Sequence, residues 1–192
     1  MGGLSPLDFG LFMAYILPGF VAVFALTYIS PWARQVFNLV LSKDSSVGAT
    51  FIIFLAALAI GIIVSALRGL VLDAIQFKSG VSRLPQINLG KIRDPNVLSA
   101  FKEAINNVYR FSQFYGNMAV ALTMLLAFKF IIAGDSIASS WAVFTCLVIT
   151  IVALVVSHRR QLKETYVAMS KILAESISAP TEGPEIHVAE KG

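Results

Sequence analysis

Residues 48–72 read GATFIIFLAALAIGIIVSALRGLVL, twenty-five positions in which Arg68 is the single charge. A bilayer core takes about 20 apolar residues in helical form. A soluble helix would show one polar face, and this stretch has none. It reads as a membrane helix, and three more segments pass the same test: residues 9–29, 115–133 and 137–156. The composition agrees. Of 192 residues 57% are hydrophobic and 14% charged, against about 25% charged in ordinary soluble domains. The expected fold is an all-α integral membrane protein with four transmembrane helices, the last two extended into a cytoplasmic antiparallel helical hairpin.

The flanks of these segments carry helix punctuation. Ser5, Pro6 and Asp8 offer an N-cap, a first-turn proline and an acid at the positive end of the first helix. No Lys or Arg precedes Arg34, so the basic n-region of a cleaved signal peptide is missing. Pro18-Gly19 predicts a bend within the first span. Ser30-Pro31 restarts a helix near residues 31–41, with Trp32, Val36, Leu39 and Val40 on one side. It reads as a short interfacial helix, with an ordinary extramembrane helix as the rival.

Four spans put the N-terminus, the central segment and the C-terminus on one side. That side collects Arg68, Lys78, Arg83, Lys91, Arg93, Lys102 and Arg110, then Arg159, Arg160, Lys163, Lys171 and Lys191. The other side holds Arg34, Lys43 and Lys129. Basic residues favour the cytoplasm, so both termini are expected there, in a bacterial inner (plasma) membrane. Trp32 and Trp141 fall at the opposite interface. With Arg68 and Lys129, whose long stems let the charge reach water, they read as lipid-interface anchors.

Four regions follow from this reading. Residues 1–72 hold the first two spans and the interfacial helix. Residues 73–93 form a basic cytoplasmic loop. Residues 94–177 form the long hairpin. Residues 178–192, with two prolines and few large apolar groups, form a flexible tail. Asp94-Pro95 is a strong helix start. Beyond it Leu98, Phe101, Ile105 and Val108 recur at helical spacing, and so do Leu162, Tyr166, Met169 and Leu173. Folding back about Gly134-Asp135-Ser136 sets Val108 near Leu162, Ile105 near Tyr166 or Thr165, Phe101 near Met169 and Leu98 near Leu173. Each arm would project roughly 30 Å from the bilayer. A seam lying on the membrane surface is the alternative.

Two patterns are candidates for function. Ala57, Gly61, Ser65 and Gly69 repeat every four residues, a smooth face for close helix packing. Asn106, Arg110, Gln113 and Asn117 form a polar stripe where the cytoplasmic arm enters the third span. Interhelical hydrogen bonding is the plain reading of that stripe; a hydrated vestibule in which Arg110 selects anionic groups is the sharper one. No His-Glu-x-x-His, Cys-x-x-Cys, Gly-x-Ser-x-Gly or P-loop pattern occurs. His158 has no nucleophile or carboxylate beside it in sequence and reads as interfacial. Cys146 reads as a small buried hydrophobe. No catalytic residue, metal site or cofactor is expected, and no direct nucleic-acid contact, because topology accounts for the basic loop.

Two functions fit. One is a non-enzymatic homo-oligomer that senses or signals at the membrane and docks a soluble cytoplasmic partner through the hairpin, in contact with membrane lipids. The other is an oligomeric gated channel or pore-forming effector; the spans carry no continuous polar stripe for a wide water pore. In size, span pattern and the 94–177 hairpin, the chain resembles small four-span membrane subunits of bacterial antiphage systems such as Kiwa. That resemblance implies an inner-membrane sensor of phage attack that controls a cytoplasmic effector.

Overall fold

The computed structural model describes residues 10, 12–42, 47–81, 95–104, 109–132 and 141–178. Every regular element among them is helical. A π turn, π1, at Phe12–Ile16 leads into α1 at Leu17–Leu26. Next come α2 at Pro31–Leu41 and α3 at Val47–Arg68. A second π turn, π2, at Gly69–Asp73 carries the chain into α4 at Ala74–Lys78. Then follow α5 at Pro95–Ala104, α6 at Arg110–Leu126 with π3 at Ala127–Ile132, and α7 at Trp141–Ser178.

Among the described residues, three helical stretches are long and apolar enough to cross a membrane: Val47–Lys78, Arg110–Phe130 and Trp141–Ile172. The first expected span is the fourth candidate, and it passes the same test only together with the helix that follows it. Phe12–Leu26 is followed by Pro31–Leu41 at a bend of 120°. The bend is written in the sequence. Ser30 is an extended N-cap whose hydroxyl accepts from the Ala33 amide at 3.3 Å, and Pro31 takes the first helical position. The guanidinium of Arg34 reaches back to donate to the Thr27 carbonyl at 3.1 Å, satisfying an end of α1. The helix expected near 31–41 is therefore present.

The second span runs further than expected. The segment read as a loop from residue 73 stays helical through Lys78, and the chain turns at Ser79 and Gly80, whose φ of +93° suits glycine. The rest of the basic loop lies outside the described residues. So do the caps at Ser5 and Asp94, the turn at 134–136 and the tail.

The helices pack around small residues. α1 meets α3 and α6, and α6 packs along α7. Ala22, Val64 and Ala121 form the common core, with Ile60, Val120 and Met124 around them. At the α1–α3 crossing a Cβ on Gly19 would overlap the Ala57 carbonyl oxygen. One on Gly61 would overlap that of Tyr15. The two backbones touch, which only glycine permits. Pro18-Gly19 thus has a second role: Gly19 is a contact point.

The distribution of polarity is inverted relative to a soluble protein. Ile52, Ile62, Leu70 and Val152 stand outward, each more than half exposed, while Asn117, Ser112 and His158 are sealed inside. Apolar surface facing out and polar groups facing in is the pattern a lipid solvent demands.

α7 is one unbroken helix of 38 residues, about 57 Å at 1.5 Å per residue. Its first half matches the expected fourth span, and the seam residues follow without a break. α5 packs against it.

A buried ionisable network as the candidate functional site

The charged interior lies where π2 meets α6 and α7. Arg68 closes α3, Asp73 closes π2, Ser112 sits in the first turn of α6, and His158 lies midway along α7. Arg68 Nη1 donates to both carboxylate oxygens of Asp73, at 3.2 and 3.1 Å. The same carboxylate lies 3.0 Å from Nε2 of His158. On the other side of the ring, Nδ1 faces the Ser112 hydroxyl at 2.9 Å and the Ser112 carbonyl oxygen at 2.8 Å. Three elements distant in sequence are thus tied by one imidazole.

This corrects two readings. Arg68 is no snorkelling anchor: it is 4% exposed and its charge is answered inside the protein. His158 is not interfacial: it is fully buried between a carboxylate and a serine. Sequence proximity gave no hint, because Ser112 and His158 are 46 residues apart and Asp73 and His158 are 85 apart. The one available signal was that Arg68, Asp73 and His158 are ionisable groups at span ends, all expected on one side.

Gly116 makes room for the network. A Cβ there would lie 2.5 Å from Arg68 Cδ and 3.2 Å from His158 Cε1. Glycine one turn after Ser112 lets both side chains cross the α6 backbone.

The arrangement brings a serine, a histidine and an aspartate into one hydrogen-bonded chain, with the serine on Nδ1 and the carboxylate on Nε2. Ser112 and His158 are both fully buried. A carbonyl oxygen only accepts. When Nδ1 carries a proton it donates to the Ser112 carbonyl. When it does not, it accepts from the Ser112 hydroxyl, while Nε2 donates to Asp73. In a neutral ring only the second placement makes both contacts, with Nε2 donating to Asp73 and Nδ1 accepting from Ser112, and so ties π2, α6 and α7 together.

The polar stripe resolves differently at each member. Asn117 is fully buried and its Nδ2 donates to the Ala14 carbonyl at 2.7 Å. That bond has a cause in the sequence. Ala14 lies within π1, just before Pro18, where the regular α-helical ladder is interrupted by the wide turn and by a residue with no amide to donate. Asn117 supplies the missing donor from another helix, the usual remedy for a proline inside a membrane. Arg110 packs its stem against Gly10, where a Cβ would come within 2.6 Å of Arg110 Cδ. Gln113 is half-buried, and Asn106 lies outside the described residues.

The packing face also divides. Ala57 and Gly61 are buried at the α1 crossing and Ser65 is half-buried, but Gly69 is exposed, with nothing within 4 Å of where its Cβ would sit. A four-residue repeat drifts by about 40° per step around a helix of 3.6 residues per turn, so it has left the line that Ala57 and Gly61 begin by the time it reaches Gly69, where α3 ends and π2 begins. Among the seam residues Leu162 and Met169 are buried and Leu98 is half-buried. The Tyr166 ring stacks on Phe77 of α4 at 6.2 Å and 6°. Ile105 and Val108, and the side chains of Phe101 and Leu173, lie outside the described residues.

Trp32 and Trp141 are 70% and 66% exposed. Lys129 lies over the Tyr28 ring at 5.5 Å and the Phe130 ring at 5.6 Å, an aromatic seat for a cation. Cys146 is exposed on α7 rather than buried. Among the described residues no group of three His, Cys, Asp or Glu stands close enough to hold a metal. No family model, curated protein or solved structure matches the chain.

Proposed function

We propose that this chain is a non-enzymatic multi-pass membrane protein that signals across the membrane boundary by docking a soluble cytoplasmic partner on the outer half of α7. The observation that carries the reading is the length of α7. About 20 residues span a bilayer core, and α7 continues as helix for nearly as many again. Its second half bears Arg160, Lys163 and Lys171 on exposed positions around Val167, which is 48% exposed. That half is too charged for lipid and leaves an apolar residue open to a protein partner. The Arg68–Asp73–His158 network sits at its base, where movement of α7 would be felt by α3 and α6.

Four spans with both termini in the cytoplasm of a bacterial inner membrane, and assembly as a homo-oligomer, belong to the same proposal. A role in antiphage defence is what the outline resemblance adds. The test is a stop codon after Gln161, which keeps every span and His158. Native mass spectrometry of the complex extracted from its own membrane should show the soluble subunit with the full chain and not with the shortened one. Retention of that subunit would refute docking on α7. Ion currents from the purified full chain in planar bilayers would instead support the gated-channel reading.

A further inference from the structure

Arg68 and Asp73 are five residues apart, a spacing at which a regular α-helix places side chains roughly 140° apart around its axis. They pair because the helix between them is a π turn, which closes on the fifth residue. The π turn thus brings the two charges to one side of the helix, and the ion pair in turn favours the π turn.

Little else favours the π register locally. Gly69 begins it with open space around its Cα, and π2 has no buried residue. Just downstream, Gln76 is 3% exposed, and neither its amide nitrogen nor its amide oxygen has a hydrogen-bond partner among the described residues. Burying an unsatisfied amide is unfavourable. The register is held against that cost from two sides. Inside, Arg68 and His158 grip Asp73. Outside, Phe77 stacks on Tyr166, and Arg159 donates to the Ser79 carbonyl at 3.0 Å.

We infer that residues 69–73 are a register switch latched by Asp73. While Arg68 and His158 hold the carboxylate, the segment stays π and α4 lies against α7. When the carboxylate is released, the wide turn relaxes to α-helix and α4 rotates by about 100°. Gln76 then leaves its buried position and Phe77 leaves Tyr166. The switch thus links the membrane-embedded network to the half of α7 proposed to dock the partner. It deepens the docking reading by naming the moving part, and it is measured without any partner, so the two fail separately.

The experiment uses the full chain in detergent with Cys146→Ser, and spin labels at Lys78→Cys on α4 and Val167→Cys on α7, both exposed or half-exposed positions. Pulsed electron-spin distances should shift by about 5–8 Å when Asp73→Asn is added, the displacement of a helix-surface label through that rotation. Deleting Leu70 removes the extra residue of the π turn and brings Arg68 and Asp73 to a spacing of four. The deleted chain should keep the original distance, and Asp73→Asn should no longer move it. If Asp73→Asn abolishes the folded protein, the switch predicts rescue in the Leu70-deleted background. An unchanged distance in the intact background, an equal shift in both backgrounds, or loss of fold in both would overturn the switch.

Discussion

Asn117 shows how one residue is explained by another a hundred positions away. Its amide donates to the Ala14 carbonyl in the irregular turn just before Pro18. Asn117→Leu should lower stability by about 1–3 kcal/mol, the usual cost of an orphaned buried acceptor. Pro18→Ala restores a backbone amide, so the double variant should recover much of the loss in a thermal melt. Equal losses with and without Pro18 would dissociate the two. Arg68 and Asp73 make the complementary case. Replacing Arg68 alone by Leu leaves the half-buried Asp73 carboxylate with His158 as its remaining partner and should cost on the order of 1–3 kcal/mol, whereas Leu at both positions should cost clearly less; denaturant titrations in micelles measure both. The polar stripe was legible as a stripe, because a 3–4 spacing is a property of one helix. What Asn117 binds was not, since the acceptor depends on which helices are neighbours. His158 was misread for the same reason: burial is set by packing, and its neighbours in sequence point to an interface.

Among the helices, the spans were legible and their irregularities were not. Apolar runs fix where a helix lies in a membrane, because every backbone group must be satisfied within it. The π turns leave no mark in composition. The four-residue repeat through Ala57 and Gly61 fails at Gly69, which has open space where its Cβ would sit, because such a repeat drifts by about 40° per step around the helix. The repeat therefore divides under substitution. Gly19→Ala and Gly61→Ala place a methyl on a neighbouring backbone and should sharply lower the melting temperature. Gly69→Ala meets nothing and, by helix propensity alone, should be neutral or stabilising by up to about 1 kcal/mol. The same order should appear in folded yield from detergent extraction. The bend between α1 and α2 was half legible. Ser30-Pro31 announces a helix start, but the angle of 120° comes from the turn at 27–30 and the Arg34 bond that closes it.

At the scale of the molecule, the described residues place apolar side chains outward, an ionisable network inside, and a helix about twice the length of a span along one side. The matching lengths and seams of the two arms pointed to a hairpin; α5 does pack on α7, and part of the α7 seam instead faces α4 through Tyr166 and Phe77. Short, local periodicity could pair the arms but could not foresee that α3 extends through π2 to reach the same surface. The claim on which the function rests is that α7 leaves the bilayer near His158 and continues through water. A nitroxide scan of exposed α7 positions, from Val143 through Val152 and Val156 to Val167 and Lys171, measures it directly by comparing collision with oxygen and with a water-soluble nickel complex. Oxygen should dominate through Val156, and the nickel complex should dominate from Arg159 onward. Oxygen-dominated collision at Val167 would place the second half of α7 on the membrane surface and contradict the account.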